Sequence, residues 1–162
     1  MGLDGSGKTT AAQFIKGYLQ ERHRKVEYIH TSRARQLVWL FFRQLINRLK
    51  GIDTICDRCY YDFIVTLYPK LLLRYKILSN IIIGIVLRLI PCFHIKLFFN
   101  APTHILYSRK NELEEYDYKT RPAVYEIIIK YIQAVQIDAT NSLGDIQLSI
   151  KQLIDAYIRV EK

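Results

Sequence analysis

The sequence is poor in the residues that loosen or staple a chain. Its 162 residues include only four prolines and seven glycines, which leaves no flexible linker, and no internal repeat or low-complexity tract interrupts it. Three cysteines, an odd count, exclude a disulfide framework. Cys56 and Cys59 have C-x-x-C spacing, but no second ligand pair follows, which argues against zinc. Cys56 ends an apolar run and reads as a core thiol. The chain opens without the basic-then-apolar pattern of a secretory leader, so a reducing, cytoplasmic setting is expected. A bilayer span needs about 20 apolar residues; the segment 77–90 is the nearest approach, and Arg88 interrupts it. That segment is expected to be a buried or surface-docked helix in preference to a peripheral membrane contact.

What the chain does have is apolar patterning and positive charge. Half of the residues are hydrophobic, enough for one globular domain spanning 1–162. The formal net charge of +9 suits anionic partners. The cations are spread along the chain, as expected of solvated helix faces and a phosphate pocket and not of a nucleic-acid-binding stripe.

Helical spacing of Ala11, Phe14, Ile15, Tyr18 and Leu19 predicts a helix over 9–23. Residues 25–30 read as a strand, 36–50 as a helix broken by Gly51, and 52–56 as a strand ending at Asp57. An apolar helical region is expected over 62–90 and a third strand over 93–99. A further helix follows Ala101-Pro102-Thr103. Pro122 is expected to open another, with Val124, Ile127, Ile128, Tyr131, Ile132 and Val135 on one face. A brief strand over 136–138 and a closing helix bearing Ile146, Ile150, Leu153, Ile154, Tyr157 and Ile158 complete the chain. Alternating strands and helices imply an α/β fold, a parallel sheet covered by helices on both sides.

Gly2-Leu3-Asp4-Gly5-Ser6-Gly7-Lys8-Thr9 matches G-x-x-x-x-G-K-[ST], and Thr10 extends it. The glycines (Gly2, Gly5, Gly7) let the backbone curl until successive N–H groups face phosphate oxygens, with the helix N-terminus behind them. Lys8 is expected to reach the β- and γ-phosphates of ATP, and Thr9 to hold Mg²⁺. Such a loop joins a strand to a helix, yet only Met1 stands before Gly2. The expectation is a three-layer P-loop fold whose first strand is missing or reduced to Met1, with the natural start upstream. Asp57, after a strand, would orient the attacking oxygen or hold water on the metal. Arg58 would grip a phosphate with its fork.

With GLDGSGKTT, DRCYYD after the second strand, Thr31-Ser32-Arg33 after the first, and Asn100-Ala101-Pro102 followed by Arg109 and Lys110, the chain resembles the thymidylate kinase family. The resemblance implies Mg²⁺-dependent transfer of the γ-phosphoryl group of ATP to a nucleoside monophosphate, dTMP foremost, and a homodimer. It implies acceptor contacts from Asp4, Arg33 and Arg58, with Tyr61 against the base. Lid cations from 109–121 (Arg109, Lys110, Arg121) would close over the triphosphate. Trp39, Phe42 and Tyr60 are further stacking candidates, and His30 is better placed to face the site than His94.

The pattern departs from the family on the acceptor side. Only 24 positions separate Arg33 from Asp57, Leu40-Phe41-Phe42-Arg43 is a faint echo of an arginine-bearing segment, and the TREP-like turn reads TSRAR. Donation is therefore better supported than the acceptor's identity. Two alternatives stay open: a P-loop kinase for another small acceptor, and a nucleotide-binding regulator without turnover. No guanine-reading N-K-x-D segment favours a GTPase switch.

Overall fold

A computed structural model describes the backbone of residues 1–2, 5–31, 36–65, 84–85, 88, 93–109 and 115–160, and all their side chains except 107, 115–120 and 123. Asp4, Arg33, Arg35, Cys92, Lys110 and most of the 62–90 region lie outside the described residues.

Helix α1 (Lys8–Glu21) leads to strand β1 (Val26–His30), helix α2 (Gln36–Leu49) and strand β2 (Asp53–Asp57). The two strands pair in parallel with Val26 opposite Asp53 and His30 opposite Asp57. Strand β3 (Leu97–Asn100), helices α3 (Thr103–Arg109) and α4 (Glu115–Ile132), strand β4 (Val135–Asp138) and helix α5 (Leu143–Val160) follow. Here β3 and β4 pair in parallel, Leu97 opposite Val135 and Asn100 opposite Asp138. Two parallel pairs, each joined by helical crossovers, are the α/β architecture that the alternation implied.

Local chemistry explains most boundaries. Gly51, at φ 63°, ends α2: the Ile52 N–H bonds to the Asn47 carbonyl at 2.8 Å, a closure that needs a left-handed residue. Ser142 caps α5, accepting from the Asp145 N–H at 3.2 Å while its hydroxyl donates to the Asp145 carboxylate at 2.6 Å. Two boundaries differ from the sequence reading. The third strand begins at Leu97, not Phe93, because residues 94–95 bend; there the His94 ring lies 5.4 Å from that of Tyr157. Pro122 sits inside α4 and does not open it. A proline there removes one backbone bond, and the helix holds because Val124, Tyr125, Ile128, Ile129 and Ile132 are all buried beyond it.

Period-two alternation sends neighbouring strand residues to opposite faces. Phe98 joins Ile29, Leu40, Val124 and Ile128 in one apolar cluster. Phe99 joins Ala11, Leu19, Ile150 and Ile154 in the other. The result is three layers. Met1 lies beside β3: its amino group donates to the Leu97 carbonyl at 2.8 Å, and the Phe99 N–H donates to the Met1 carbonyl at 2.9 Å. Those two bonds make one rung of a parallel ladder opposite Phe98, so Met1 stands where a loop-bearing strand would end. Among the described residues no helix is long and apolar enough to cross a membrane. Cys56 and Cys59 are free thiols, and burial pushes Cys56 up to about 12.

Ile128 is completely buried, whereas Val38 on α2 is 66% exposed. Ile128→Ala is expected to cost about 3 kcal/mol in urea unfolding, and Val38→Ala less than about 0.5 kcal/mol.

Candidate functional site

The carboxyl ends of β1 and β2 meet the turn that enters α1, the usual ligand position of an open parallel sheet. Asp57, the last residue of β2, is only 3% exposed. Its Oδ2 accepts from Thr9 Oγ1 at 2.7 Å and from Tyr28 Oη at 2.9 Å, and lies 3.4 Å from His30 Nδ1. Burial pushes this carboxyl up, but the hydrogen bonds from Thr9 and Tyr28 and the nearby His30 outweigh it and hold Asp57 below the usual aspartate range. Tyr28 responds oppositely. Burial, then the Asp57 carboxylate, raises its hydroxyl to about 12, so it remains a neutral donor.

The loop is fixed by close backbone approach. Gly2 (φ 141°), Gly5 (φ 83°) and Gly7 (φ 83°) all occupy positive φ. A Cβ on Gly2 would meet the Phe99 carbonyl oxygen at 2.6 Å and Ser6 Oγ at 2.8 Å. Tyr125 Oη reaches the Gly2 carbonyl at 3.1 Å and Asp62 Oδ1 at 2.8 Å. Burial, then the Asp62 charge, holds that hydroxyl well above its ordinary range. Gly2 is thus held between β3 and α4.

Gly7 is the left-handed N-cap of α1, with no side-chain cap and no acidic residue in the first turn. The first-turn N–H groups have no intrahelical acceptor, and no carboxylate opposes an anion there. Ser6 Oγ is buried without a hydrogen-bond partner. An exposed Thr10, a half-buried Lys8 and this uncapped turn fit the phosphates of a nucleotide. Thr9 and Asp57 bring two oxygens together, a set that suits Mg²⁺, which takes one or two protein ligands and completes its shell with phosphate and water. Among the described residues no group of three or more His, Cys, Asp or Glu forms a dedicated metal cage.

The residues expected from sequence divide cleanly. Gly2, Gly5, Ser6, Gly7, Lys8, Thr9 and Thr10 gather with Asp57. Arg58 follows in a left-handed conformation (φ 62°), its carbonyl accepting from the Thr31 hydroxyl. Arg109 lies elsewhere: its Nη1 donates to the Ala139 carbonyl at 3.1 Å, beside the carboxyl end of β4. Tyr61 is 3% exposed and packs in the core, its ring 6.4 Å from Phe93. Tyr28 and Tyr125 were not foreseen. Tyr28 was legible two places before His30, on the same face of a strand; Tyr125 is 123 positions from the glycine it holds and carried no signal.

A second cleft of about 420 Å³ opens beside this centre, lined by Glu27, Tyr28, Ile29, His30, Gln36 and Trp39. Arg43 grips the Glu27 carboxylate through Nε at 2.8 and 2.9 Å, and Asn47 adds a further bond. The Arg43 bond, against the upward push of burial, holds Glu27 below the usual range.

No protein-family model matches the chain, and neither does any curated protein. Solved structures do match. A deoxyadenosine kinase from M. mycoides with bound dCTP is 17% identical, with a TM-score of 0.59 over 96% of this chain and 97% of that one. The same kinase with the products dCMP and a flexible dCDP gives 13% identity and a TM-score of 0.61 over 97% of each chain. At these identities the likeness establishes the fold: a parallel sheet flanked by helices, as in P-loop kinases.

Gly2→Ala is expected to cost about 1–3 kcal/mol in urea unfolding, because neither the Phe99 backbone nor a residue at this φ can give way cheaply. The depressed pKa of Asp57 contributes stability that is full above the ordinary value of 3.8 and is lost as pH falls below it. Asp57→Asn should therefore lower the thermal midpoint at pH 7 and flatten its decline below about pH 4.

Proposed function

We propose that the chain is a Mg²⁺-dependent phosphotransferase that moves the γ-phosphoryl group of ATP to the hydroxyl of a deoxynucleoside. The observation that carries this reading is the Thr9–Asp57 hydrogen bond of 2.7 Å at the mouth of the glycine loop, beside an uncapped helix N-terminus. In the reaction, the acceptor oxygen bonds to the γ-phosphorus as the bond to the β–γ bridging oxygen breaks; ADP leaves, and the acceptor's hydroxyl proton passes to a phosphoryl oxygen and then to solvent. The loop N–H groups and Lys8 hold the triphosphate in line. Thr9 and, through water, Asp57 would hold Mg²⁺, which would supply positive charge against the phosphates. Asp57 keeps Thr9 oriented and stays anionic. Arg58 and the cations of 110–121 are assigned to charge on the transferring group. The transition state is loose, so positioning and charge do most of the work.

The acceptor follows from the second cleft. Among its described lining residues none is lysine or arginine, and the Glu27 carboxylate is already paired with Arg43. An uncharged nucleoside suits that lining better than a second phosphate does. Trp39, 53% exposed, is assigned to the base face, and the Gln36 amide to its edge. Arg43, in the segment that faintly echoes an acceptor arginine, is engaged by Glu27. The two structures reported above are of one deoxyadenosine kinase, which supports the nucleoside class. The second reading, dTMP as acceptor with Asp4, Arg33 and Arg58 in contact, rests on the GLDGSGKTT and DRCYYD motifs. The homodimer implied by those motifs belongs to the same proposal, with exposed Val38, Phe42 and Leu49 of α2 as its apolar surface.

An ATP-consumption screen across deoxynucleosides and their monophosphates separates the readings. Turnover with a deoxynucleoside is expected; turnover with dTMP alone transfers the assignment to the second reading. ATP binding with neither would remove the enzyme assignment. Lys8→Ala should lower kcat by about 10²–10³ without moving the thermal midpoint.

A further inference from the structure

Strand β2 ends in a corner. Asp57 is its last residue, Arg58 has φ 62°, and residues 60–65 are helical, so one left-handed residue turns a strand into a helix. In the glycine loop, positive φ falls on glycine; here it falls on arginine. A side chain makes this conformation costly, because Cβ crowds the following carbonyl oxygen. Among the described residues only His23 and Gln133 share it without being glycine, and each follows the end of a helix, where such a residue is an ordinary terminator. Arg58 has no such excuse. Strain of this kind persists only where the surroundings over-determine it.

Three consecutive residues of the corner are held from outside it. The Thr31 N–H donates to the Asp57 carbonyl at 3.4 Å, and the Thr31 hydroxyl donates to the Arg58 carbonyl. The Cys59 N–H donates to Asp62 Oδ2 at 3.1 Å. Thr31 therefore grips both members of the Asp57–Arg58 pair, one through its main chain and one through its side chain. The paired register stops with His30 opposite Asp57. One place further on, where Arg58 turns away, a hydroxyl takes the place of a ladder bond. Thr31 is only 1% exposed, so water does not replace that donor when it is removed. Its branched Cβ also restricts the hydroxyl to few rotamers. Arg58 shares a cavity wall with Lys8 and Asp57, so the path of its backbone decides where its side chain starts relative to both.

We infer that Thr31 is a positioning residue: its hydroxyl locks Arg58 in the left-handed conformation and so fixes where the guanidinium meets the phosphoryl group in transfer. The effect on turnover rests on the phosphotransferase reading; the lock itself does not. Thr31 touches no reacting atom and acts through Arg58 alone. Valine has nearly the same shape and no donor, so it removes the lock and keeps the packing. Serine keeps the donor.

The test uses the full chain with Thr31→Val, Thr31→Ser and Arg58→Ala. In the free protein, the Arg58 Cα and Cβ chemical shifts should report a left-handed residue in the unaltered chain and in Thr31→Ser, and leave that range in Thr31→Val. With ATP and the acceptor that the screen identifies, Thr31→Val should lower kcat by about 10- to 100-fold and move the KM for ATP by less than about twofold. Thr31→Ser should recover most of that loss. In an Arg58→Ala background, Thr31→Val should lower kcat no further, because residues acting as one unit are not additive. Left-handed shifts retained in Thr31→Val, or an equal loss of kcat in the Arg58→Ala background, would overturn the proposal. Shifts that move while no acceptor is phosphorylated support the lock and remove the phosphotransferase reading instead. Should Thr31→Val not fold, the unaltered chain decides. A slowly exchanging Thr31 hydroxyl proton supports the lock, and one that exchanges like an exposed threonine sinks it.

Discussion

Asp57 is the point on which the site and the sheet both depend. A buried carboxylate is tolerable only when its lone pairs are used, and here a loop threonine, a strand tyrosine and a neighbouring histidine use them. The same contacts tie the start of α1 to the ends of β1 and β2. Thr9 therefore sits at the strand ends because the carboxylate demands a donor, and Asp57 stays ionised because Thr9 and Tyr28 supply two. Structure and chemistry share one set of hydrogen bonds.

The second constraint is steric. The glycine loop lies against β3 so closely that even a methyl group at Gly2 would collide with the Phe99 carbonyl. Tyr125 closes the other side, its hydroxyl bonding to the same glycine and to Asp62. Backbone N–H groups aimed at phosphate do their work only if they need not reorganise when charge moves. The clamp on Gly2 supplies that rigidity from β3 and α4, outside the loop itself.

The donor half of this arrangement was readable in the sequence because its residues are contiguous. Gly2 to Thr10 lie in one run, and their conformational demands are local: positive φ at the glycines, then a helix start. Asp57 and Arg58 were readable because a strand ends there. Arg109 and Tyr61 are different. Both sit in plausible motifs, but the Arg109 fork turns to the Ala139 carbonyl and the Tyr61 ring fills the core; neighbours distant in sequence decide both directions. Pro122 misled for a related reason. Its intrinsic preference for a first turn yields to the burial of five apolar side chains downstream of it.

The split of the sheet into two pairs also bears on how the chain acquires its fold. The β1–α2–β2 unit closes within residues 26–57, and β3 to β4 within 97–138, so each half gathers its ladder from contacts of short sequence separation. Such contacts have a small loop-closure penalty and form early. Bonds that join the halves, such as Met1 to β3, Tyr125 to Asp62 and Tyr18 to Asp155, span 96, 63 and 137 positions. That difference predicts an order of assembly in which each parallel pair forms before the halves dock through the chain's own first and last helices.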